Sequence, residues 1–293
     1  MSFTELSSAS ITGKVARYSR RILPRDLAVP ILRGELRGTK WIIESQRHAC
    51  WLGIYEKALQ AVVAREVKPG GVFYDVGANV GFYTLLASAL VGPGKVFAFE
   101  PVPMNIYYLK RHLELNQIKN VELFEAAVSD RNGALSFLEE ETRAMGRLQP
   151  GGNCFVQSVT LDALFQKGRI TSPDYIKMDI EGAELQALHG ASGIFRDFHP
   201  ILFLATHGQD VHKDCCRLLE SWGYEYRRLD ESASPITVDY LNIGKGARAV
   251  SLGILEWVGD DVRVCMAKPG DPRPSDFSCD VGSGRTLSRW KRK

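Results

Sequence analysis

The stretch Val72-Phe-Tyr-Asp75-Val-Gly77-Ala-Asn79-Val-Gly81 indicates a buried strand that runs into a tight, glycine-bearing turn. An apolar helix is expected over Phe82–Leu90, and Lys95–Glu100 has the composition of a second strand. A helix over Met104–Asn116 and a third strand at Val121–Phe124 follow after short connections. This order is typical of an α/β protein with a parallel, doubly wound sheet.

Further strands are expected in the second half of the chain, where short apolar runs alternate with helical patterns. We predict core strands at Tyr175–Asp179, Ile201–Ala205 and Tyr224–Leu229, and a candidate seventh strand at Val262–Met266. The carboxyl ends of parallel strands carry the ligand sites of such sheets. Functional residues are therefore expected directly after each predicted strand.

The first turn has the spacing D-x-G-x-x-x-G, which differs from the dinucleotide pattern G-x-G-x-x-G. A dinucleotide site holds a pyrophosphate at the helix N-terminus, and Asp75 would place a negative charge beside it. A carboxylate there suits a cationic amine instead, such as the ammonium of S-adenosyl-L-methionine (SAM). Asp75 could also be a simple helix cap, and a nicotinamide-dependent dehydrogenase is the disfavoured alternative.

Glu100 ends the second predicted strand, 19 residues beyond Gly81, where an acid can accept hydrogen bonds from both ribose hydroxyls. Small residues after the third strand would let an adenine ring lie against the backbone. The predicted cofactor is therefore SAM. The predicted cofactor-binding residues are Asp75, Gly77, Ala78, Asn79, Gly81, Tyr83, Glu100, Pro101, Ala127, Val128 and Asp179.

The first turn and the segment Phe99-Glu100-Pro101 resemble the FkbM family of SAM-dependent methyltransferases. The segment Ile176-Lys-Met-Asp179-Ile-Glu181-Gly-Ala-Glu184 is the one most particular to that family. The resemblance implies a class I methyltransferase (Rossmann-like) fold, with a seven-stranded, mostly parallel sheet whose last strand is antiparallel. It also implies O-methylation of a hydroxyl on a small molecule or sugar. Many members carry an acid in the slot held here by Ala205, which draws attention to His207.

Three residues are the catalytic candidates, because an alcohol is a poor nucleophile and a general base assists its methylation. Asp179 ends the fourth predicted strand, Glu181 lies just beyond it, and His207 follows the fifth. We expect Asp179 to face the cofactor or the acceptor hydroxyl, and His207 or Glu181 to take the proton. These three residues offer oxygen and imidazole ligands, but they have no dedicated metal-site spacing, and no metal is expected.

Basic residues are concentrated at the two ends of the chain. Residues 1–40 hold eight Lys/Arg and three Asp/Glu, and residues 281–293 hold five Lys/Arg and no acid. We predict a basic extension over 1–40, the methyltransferase domain over 41–269, and a basic, disordered tail over 270–293. The basic ends leave peripheral membrane contact or nucleic-acid binding as alternatives, although nucleic acid is disfavoured.

The composition is that of a globular protein, with 45% hydrophobic and 24% charged residues. The start of the chain has no apolar segment typical of a signal peptide, and the six cysteines form no C-x-x-C pair. We therefore expect reduced thiols and a cytoplasmic location. The predicted function is O-methylation of a sugar, glycolipid or secondary metabolite. An RNA or protein methyltransferase and a SAM-binding module without turnover stay open as alternatives.

Overall fold

The structure is a computed structural model, and it describes residues 26–46, 48–139, 146–148, 154–228, 236–241, 253–258, 261–266 and 286–291. The chain divides into two compact units, residues 1–243 and 244–293. The boundary between them falls inside the predicted 41–269 domain, and the predicted boundaries at 41 and 269 stay predictions. No helix in the described ranges is long and apolar enough to cross a membrane.

The described part of the first unit begins with two strands and two helices, after which strands and helices follow one another along the chain. The strands are β1 (Ala28–Pro30), β2 (Lys40–Ile42), β3 (Val72–Val76), β4 (Lys95–Phe99), β5 (Val121–Phe124), β6 (Ala127–Val128), β7 (Gly133–Glu139), β8 (Gly146–Leu148), β9 (Cys154–Val159), β10 (Tyr175–Met178), β11 (Ile201–His207), β12 (Tyr226–Arg228) and β13 (Ile236–Leu241). The helices are α1 (His48–Leu52), α2 (Lys57–Glu66), α3 (Phe82–Val91), α4 (Pro103–Leu115), α5 (Leu161–Gln166), α6 (Glu184–His189), α7 (Ser192–Phe198) and α8 (Gln209–Ser221).

The central sheet has seven strands in the order β5-β4-β3-β10-β11-β13-β12. Strands β5, β4, β3, β10 and β11 are parallel, and β13 lies antiparallel between β11 and β12. The expected class I methyltransferase fold is confirmed, including its antiparallel last strand. The strand order reverses between β3 and β10, so their carboxyl ends flank a switch point where such sheets bind ligands.

The prediction for the seventh strand is wrong in its position. The antiparallel strand of the central sheet is Ile236–Leu241. Residues 261–266 instead form the middle strand of a separate antiparallel sheet in the second unit, made of β14 (Gly253–Val258), β15 (Asp261–Met266) and β16 (Thr286–Lys291). Both segments are short runs of strand-forming residues. Their pairing partners, which the local pattern does not contain, decide which sheet each one joins.

The described part of the predicted N-terminal extension packs into the domain. Strands β1 and β2 pair antiparallel, and Ile31 and Leu36 are buried in the same core cluster as Trp41 and Phe73. The Trp41 ring stacks on the His112 ring of α4, with centroids 4.1 Å apart. Residues 26–40 therefore extend the hydrophobic core on one face of the sheet.

Candidate active site

A cavity of about 350 Å³ opens at the carboxyl edge of the central sheet, within the usual range for a small-molecule site. It lies beyond the ends of β3, β4, β10 and β11, at the switch point in strand order. Most of the residues predicted from the sequence line it. They are Gly77, Ala78, Asn79, Tyr83, Glu100, Pro101, Ala127, Val128, Asp179, Glu181 and His207.

The two glycines of the first turn allow close packing around the cavity. Gly77 has a φ of +79°, and a Cβ atom there would lie 1.9 Å from the backbone oxygen of Asp179. Gly81 has a φ of +97°, and a Cβ there would lie 2.3 Å from a methyl group of Leu109. Gly81 does not line the cavity. Its role is to let α3 approach α4, whereas Gly77 brings the turn against the end of β10.

Glu100, the acid predicted to bind the ribose, is fixed by hydrogen bonds at the cavity wall. Its side chain is buried and lines the cavity. One carboxylate oxygen accepts the Asn79 backbone N–H at 2.7 Å, and the other accepts the Val102 N–H and the Asn105 side chain at 2.9 and 3.1 Å. Burial raises the pKa of Glu100, and these hydrogen bonds oppose the rise. The network holds the carboxylate in one orientation at the cavity wall.

The adjoining wall is made of small apolar side chains. Ala78, Ala126, Ala127 and Val128 are all buried and line the cavity next to Phe99. Strand β6 pairs parallel with β9, which fixes the backbone of Ala127 and Val128. A flat, apolar ring can lie against such a wall without meeting a bulky side chain.

Asp75 is placed differently from the expectation. Its side chain is fully buried and does not line the cavity. One oxygen accepts the hydroxyl of Thr84 at 2.6 Å, and the other lies 3.5 Å from Nζ of Lys177. Asp75 therefore does not reach the cavity, whereas its ion-pair partner Lys177 lines it.

Lys177 is the main residue that the sequence analysis missed. It lines the cavity, donates to the backbone oxygen of Gly77 at 2.9 Å, and lies 3.9 Å from an Asp179 oxygen. Burial by itself lowers the pKa of Lys177, but Asp75 and Asp179 outweigh burial and raise it. The available signal was a single lysine within the otherwise apolar strand Tyr175–Met178. A buried lysine almost always has an acidic partner.

A segment before the central sheet closes another side of the cavity. Gln46, Cys50, Tyr55 and Glu56 line it, from the chain around α1 and the start of α2. The Tyr83 hydroxyl donates to Glu56 at 2.9 Å, and Gln46 donates to the Asn79 side chain at 3.0 Å. Burial raises the pKa of Glu56. These contacts fasten the N-terminal segment to the turn that carries the glycines.

The three catalytic candidates come together at the ends of β10 and β11. Nε2 of His207 lies 3.3 Å from a Glu181 oxygen and 3.6 Å from an Asp179 oxygen. Nδ1 of His207 lies 3.0 Å from the buried carboxylate of Glu184. Strand β11 runs to His207, two residues beyond the predicted end, so the imidazole belongs to the strand end and is well positioned.

The charge state of His207 limits its chemistry. Burial lowers its pKa, but the hydrogen bond to Glu184 and the charges of Asp179 and Glu181 outweigh burial and raise the pKa to about 9. The imidazole is therefore protonated at neutral pH and donates hydrogen bonds. Asp179 and Glu181 are the acceptors that can take a proton there.

Comparison with known proteins places the chain in a family. The family model described as the methyltransferase FkbM domain matches residues 75–226. The hexuronic acid methyltransferase AglP of Haloferax volcanii is 24% identical over 72% of this chain and 78% of its own length. The 2-O-methyltransferase NoeI of Sinorhizobium fredii is 27% identical over 46% of this chain and 63% of its own length.

Two further proteins show partial similarity. The 31-O-demethyl-FK506 methyltransferase FkbM of Streptomyces tacrolimicus is 36% identical over 28% of this chain and 32% of its own length. The crystal structure of methyltransferase FkbM from Methylobacillus flagellatus aligns with a TM-score of 0.42 at 17% identity, over 67% of this chain and 56% of that one. The chain thus spans less than two thirds of several of these proteins. Because the family model covers more than half of it, the chain belongs to the FkbM methyltransferase family and is a SAM-dependent methyltransferase.

Proposed function

We propose that this methyltransferase transfers the methyl group to a hydroxyl of a sugar-type small molecule. The observation that carries the proposal is the set of Asp179, Glu181 and His207, which line the cavity together. A carboxylate at that position can accept the proton of an alcohol. The names of the relatives from Haloferax volcanii and Sinorhizobium fredii, a hexuronic acid methyltransferase and a 2-O-methyltransferase, support the same acceptor class.

The residues around the cavity fit SAM, which supplies an electrophilic methyl group on a sulfonium when bound. The fixed carboxylate of Glu100 suits the two ribose hydroxyls, and the wall of Ala127 and Val128 suits the adenine. Lys177 provides a buried cation on the cavity floor, where it suits the carboxylate of the methionine portion. Asp75 then acts through Lys177, because the Asp75 carboxylate holds the Lys177 ammonium group in place.

The remaining residues orient the acceptor and handle its proton. Asp179 is partly exposed to the cavity and is proposed to accept the hydroxyl proton as the oxygen attacks. The protonated His207 is held by Glu184 and can donate a hydrogen bond to a second acceptor oxygen. The segment of Tyr55 and Glu56 covers the cavity and would keep water from the reacting atoms.

The test is a transfer assay with SAM carrying a labelled methyl group, preceded by calorimetric titration with SAM and S-adenosylhomocysteine. The acceptor panel contains uronic acids, neutral sugars and their methyl glycosides, with bulk RNA and a protein extract as separate arms. Label on a sugar hydroxyl supports the proposal. Label on RNA or protein alone would favour those alternatives, and SAM binding without any transfer would favour a module without turnover.

The location in the cell and the role of the chain ends stay predictions. We infer a cytoplasmic protein, in keeping with the sequence. The basic residues at 1–25 and at 292–293 lie outside the described residues. Peripheral membrane contact through them stays an alternative that the sequence leaves open.

A further inference from the structure

Asp179, Glu181 and His207 are arranged like the ligands of one metal ion. Each offers one ligand atom, and these three atoms all lie within 4.8 Å of one another. Asp179 and Glu181 come from the loop after β10, and His207 from the end of β11. The sequence offers the same three residues as oxygen and imidazole ligands, but Glu181 and His207 lie 26 positions apart and match no dedicated metal-site spacing, so no metal was expected.

The distances fit a shared cation better than direct ion pairs. A charge-assisted hydrogen bond between nitrogen and a carboxylate is roughly 2.7–2.9 Å long. Nε2 of His207 lies 3.3 Å from Glu181 and 3.6 Å from Asp179, which is longer in both cases. Two ligand atoms bound to one ion at roughly 2.0–2.2 Å stand about 3.0–3.5 Å apart when they subtend an ordinary angle. The imidazole nitrogen therefore faces both carboxylates at the spacing of neighbouring ligands.

Glu184 supplies an independent observation. Its side chain is fully buried, and its Oε2 atom has no hydrogen-bond partner among the described residues. Its Oε1 atom lies 3.0 Å from Nδ1 of His207 and accepts the backbone N–H of Gly182 at 2.9 Å. A carboxylate that holds the far nitrogen of a histidine is the usual support of a metal-binding imidazole. This support also turns Nε2 toward the other two ligands.

The balance of charge favours an added cation as well. Asp179, Glu181 and Glu184 bring three carboxylates to one imidazole, and the nearby Lys177 is already shared with Asp75. A buried carboxylate oxygen without a partner is costly unless positive charge lies close to it. A divalent ion between Asp179, Glu181 and His207 would take the place of the proton on Nε2 of His207, since a ligating imidazole must be neutral, and would balance the charge of the three carboxylates.

We propose that Asp179, Glu181 and His207 bind one divalent cation of the Mn²⁺ type at the acceptor side of the cavity. Mixed carboxylate and imidazole ligands suit such an ion. Each residue offers one ligand atom, so the second oxygen of Asp179 remains available to accept the hydroxyl proton. Three protein ligands leave coordination positions open, and the partly exposed side chains place them toward the cavity. This inference rests on the proposed function and narrows its acceptor class. The acceptor is a hydroxyl with a neighbouring oxygen, such as a vicinal diol or a hydroxy acid, which can bind the ion through both oxygen atoms.

The test measures Mn²⁺ binding directly, without cofactor or acceptor. The full chain is dialysed against EDTA and then buffer, and the free Mn²⁺ signal is followed by electron paramagnetic resonance during titration. We expect one Mn²⁺ per chain, and at least about tenfold weaker binding in Glu181→Gln, in Asp179→Asn and in the supporting variant Glu184→Gln. Asp210→Asn, which removes an exposed carboxylate at the start of α8, should leave binding unchanged.

Circular dichroism checks that each variant is folded. If Glu181→Gln does not fold, Mn²⁺ binding by Asp179→Asn decides the test. No saturable Mn²⁺ site in the wild type, or wild-type binding in both Glu181→Gln and Asp179→Asn, would overturn the proposal. Methyl transfer to a hydroxyl that is insensitive to EDTA would also count against it, while the proposed function would stand. Mn²⁺ binding lost in the variants, with no hydroxyl methylated, would support the metal site and refute the proposed function.

Discussion

Lys177 and Asp75 form a buried ion pair directly beneath the candidate active site. The Nζ and Oδ1 atoms lie 3.5 Å apart, and the two side chains are 6% and 0% exposed. The two residues are register partners on the adjacent parallel strands β10 and β3, although 102 residues separate them in sequence. The same lysine lines the cavity, so one side chain links the stability of the sheet to the candidate active site.

We expect Lys177→Met to destabilise the protein by about 3 kcal/mol or more, because it leaves Asp75 buried without its cation. The double variant Asp75→Asn/Lys177→Met should regain much of that loss, since no uncompensated charge remains. Urea denaturation of the wild type, the two single variants and the double variant measures the coupling free energy between Asp75 and Lys177.

The control is Lys95→Met, which breaks an ion pair between Lys95 and Glu122 whose side chains are 41% and 39% exposed. Lys95→Met should lower the free energy of unfolding by less than about 1 kcal/mol. Equal losses in the two single lysine variants would contradict the prediction.

Gly77→Ala should abolish SAM binding. The added Cβ would lie 1.9 Å from the Asp179 backbone oxygen, so the turn and the end of β10 must separate. Gly70→Ala is the matched control, because Gly70 also has a positive φ, of +85°, but a Cβ added there would meet no atom of the described residues within 4 Å. We expect the control to cost only about 1–2 kcal/mol of stability and to bind SAM normally. Calorimetric titration with SAM measures the affinity of both variants, and normal affinity in Gly77→Ala would refute the assignment of this turn.

Asp179→Asn should separate binding from turnover. SAM affinity is expected to stay within about tenfold of the wild type, which corresponds to about 1.4 kcal/mol. The rate of methyl transfer should fall by about 10²-fold or more, because the amide cannot accept the hydroxyl proton. Single-turnover assays at saturating SAM test this, with Asp210→Asn as the control for loss of a carboxylate outside the cavity. Wild-type turnover would remove Asp179 from the mechanism.

His112 should make the stability of the fold depend on pH. Burial lowers its pKa from 6.5 to about 4, against an opposing hydrogen bond to the Val80 backbone oxygen. The unfolded chain takes up a proton near its ordinary pKa, whereas the folded protein resists it. The stabilisation is therefore present above about pH 6.5 and is lost as the pH falls toward 4, at a cost of about 2 kcal/mol between pH 7 and 4.5.

The structural reason lies in the two ring nitrogens. Nδ1 lies 2.8 Å from the Val80 oxygen, and Nε2 accepts the Ile42 backbone N–H at 3.1 Å. A second proton on the ring would remove the acceptor at Nε2 and displace strand β2, which contains Ile42. Urea denaturation of the wild type and of His112→Phe at both pH values checks the prediction. The variant should be less stable at pH 7 and should lose about 2 kcal/mol less than the wild type on acidification. Identical pH dependence in the two proteins would exclude His112 as the cause.

Local sequence determined the path of the chain through the first half of the sheet and most of the predicted residues that line the cavity. Runs of a few residues are enough to predict the alternation of short strands and helices. The same holds for the glycine turn at Gly77 and for the acid at Glu100. Each of these depends on backbone freedom or on a position at a strand end, which neighbouring residues specify. They are therefore accessible without the tertiary structure.

The tertiary structure alone decided which charged groups face one another. It pairs Lys177 with Asp75 and brings His207 to Asp179 and Glu181. It also gives the antiparallel position beside β11 in the central sheet to Ile236–Leu241 instead of Val262–Met266. These contacts follow from strand order and register across the sheet, which join segments far apart in the chain. Strand pairing is a long-range choice among similar short segments, so no local pattern contains it.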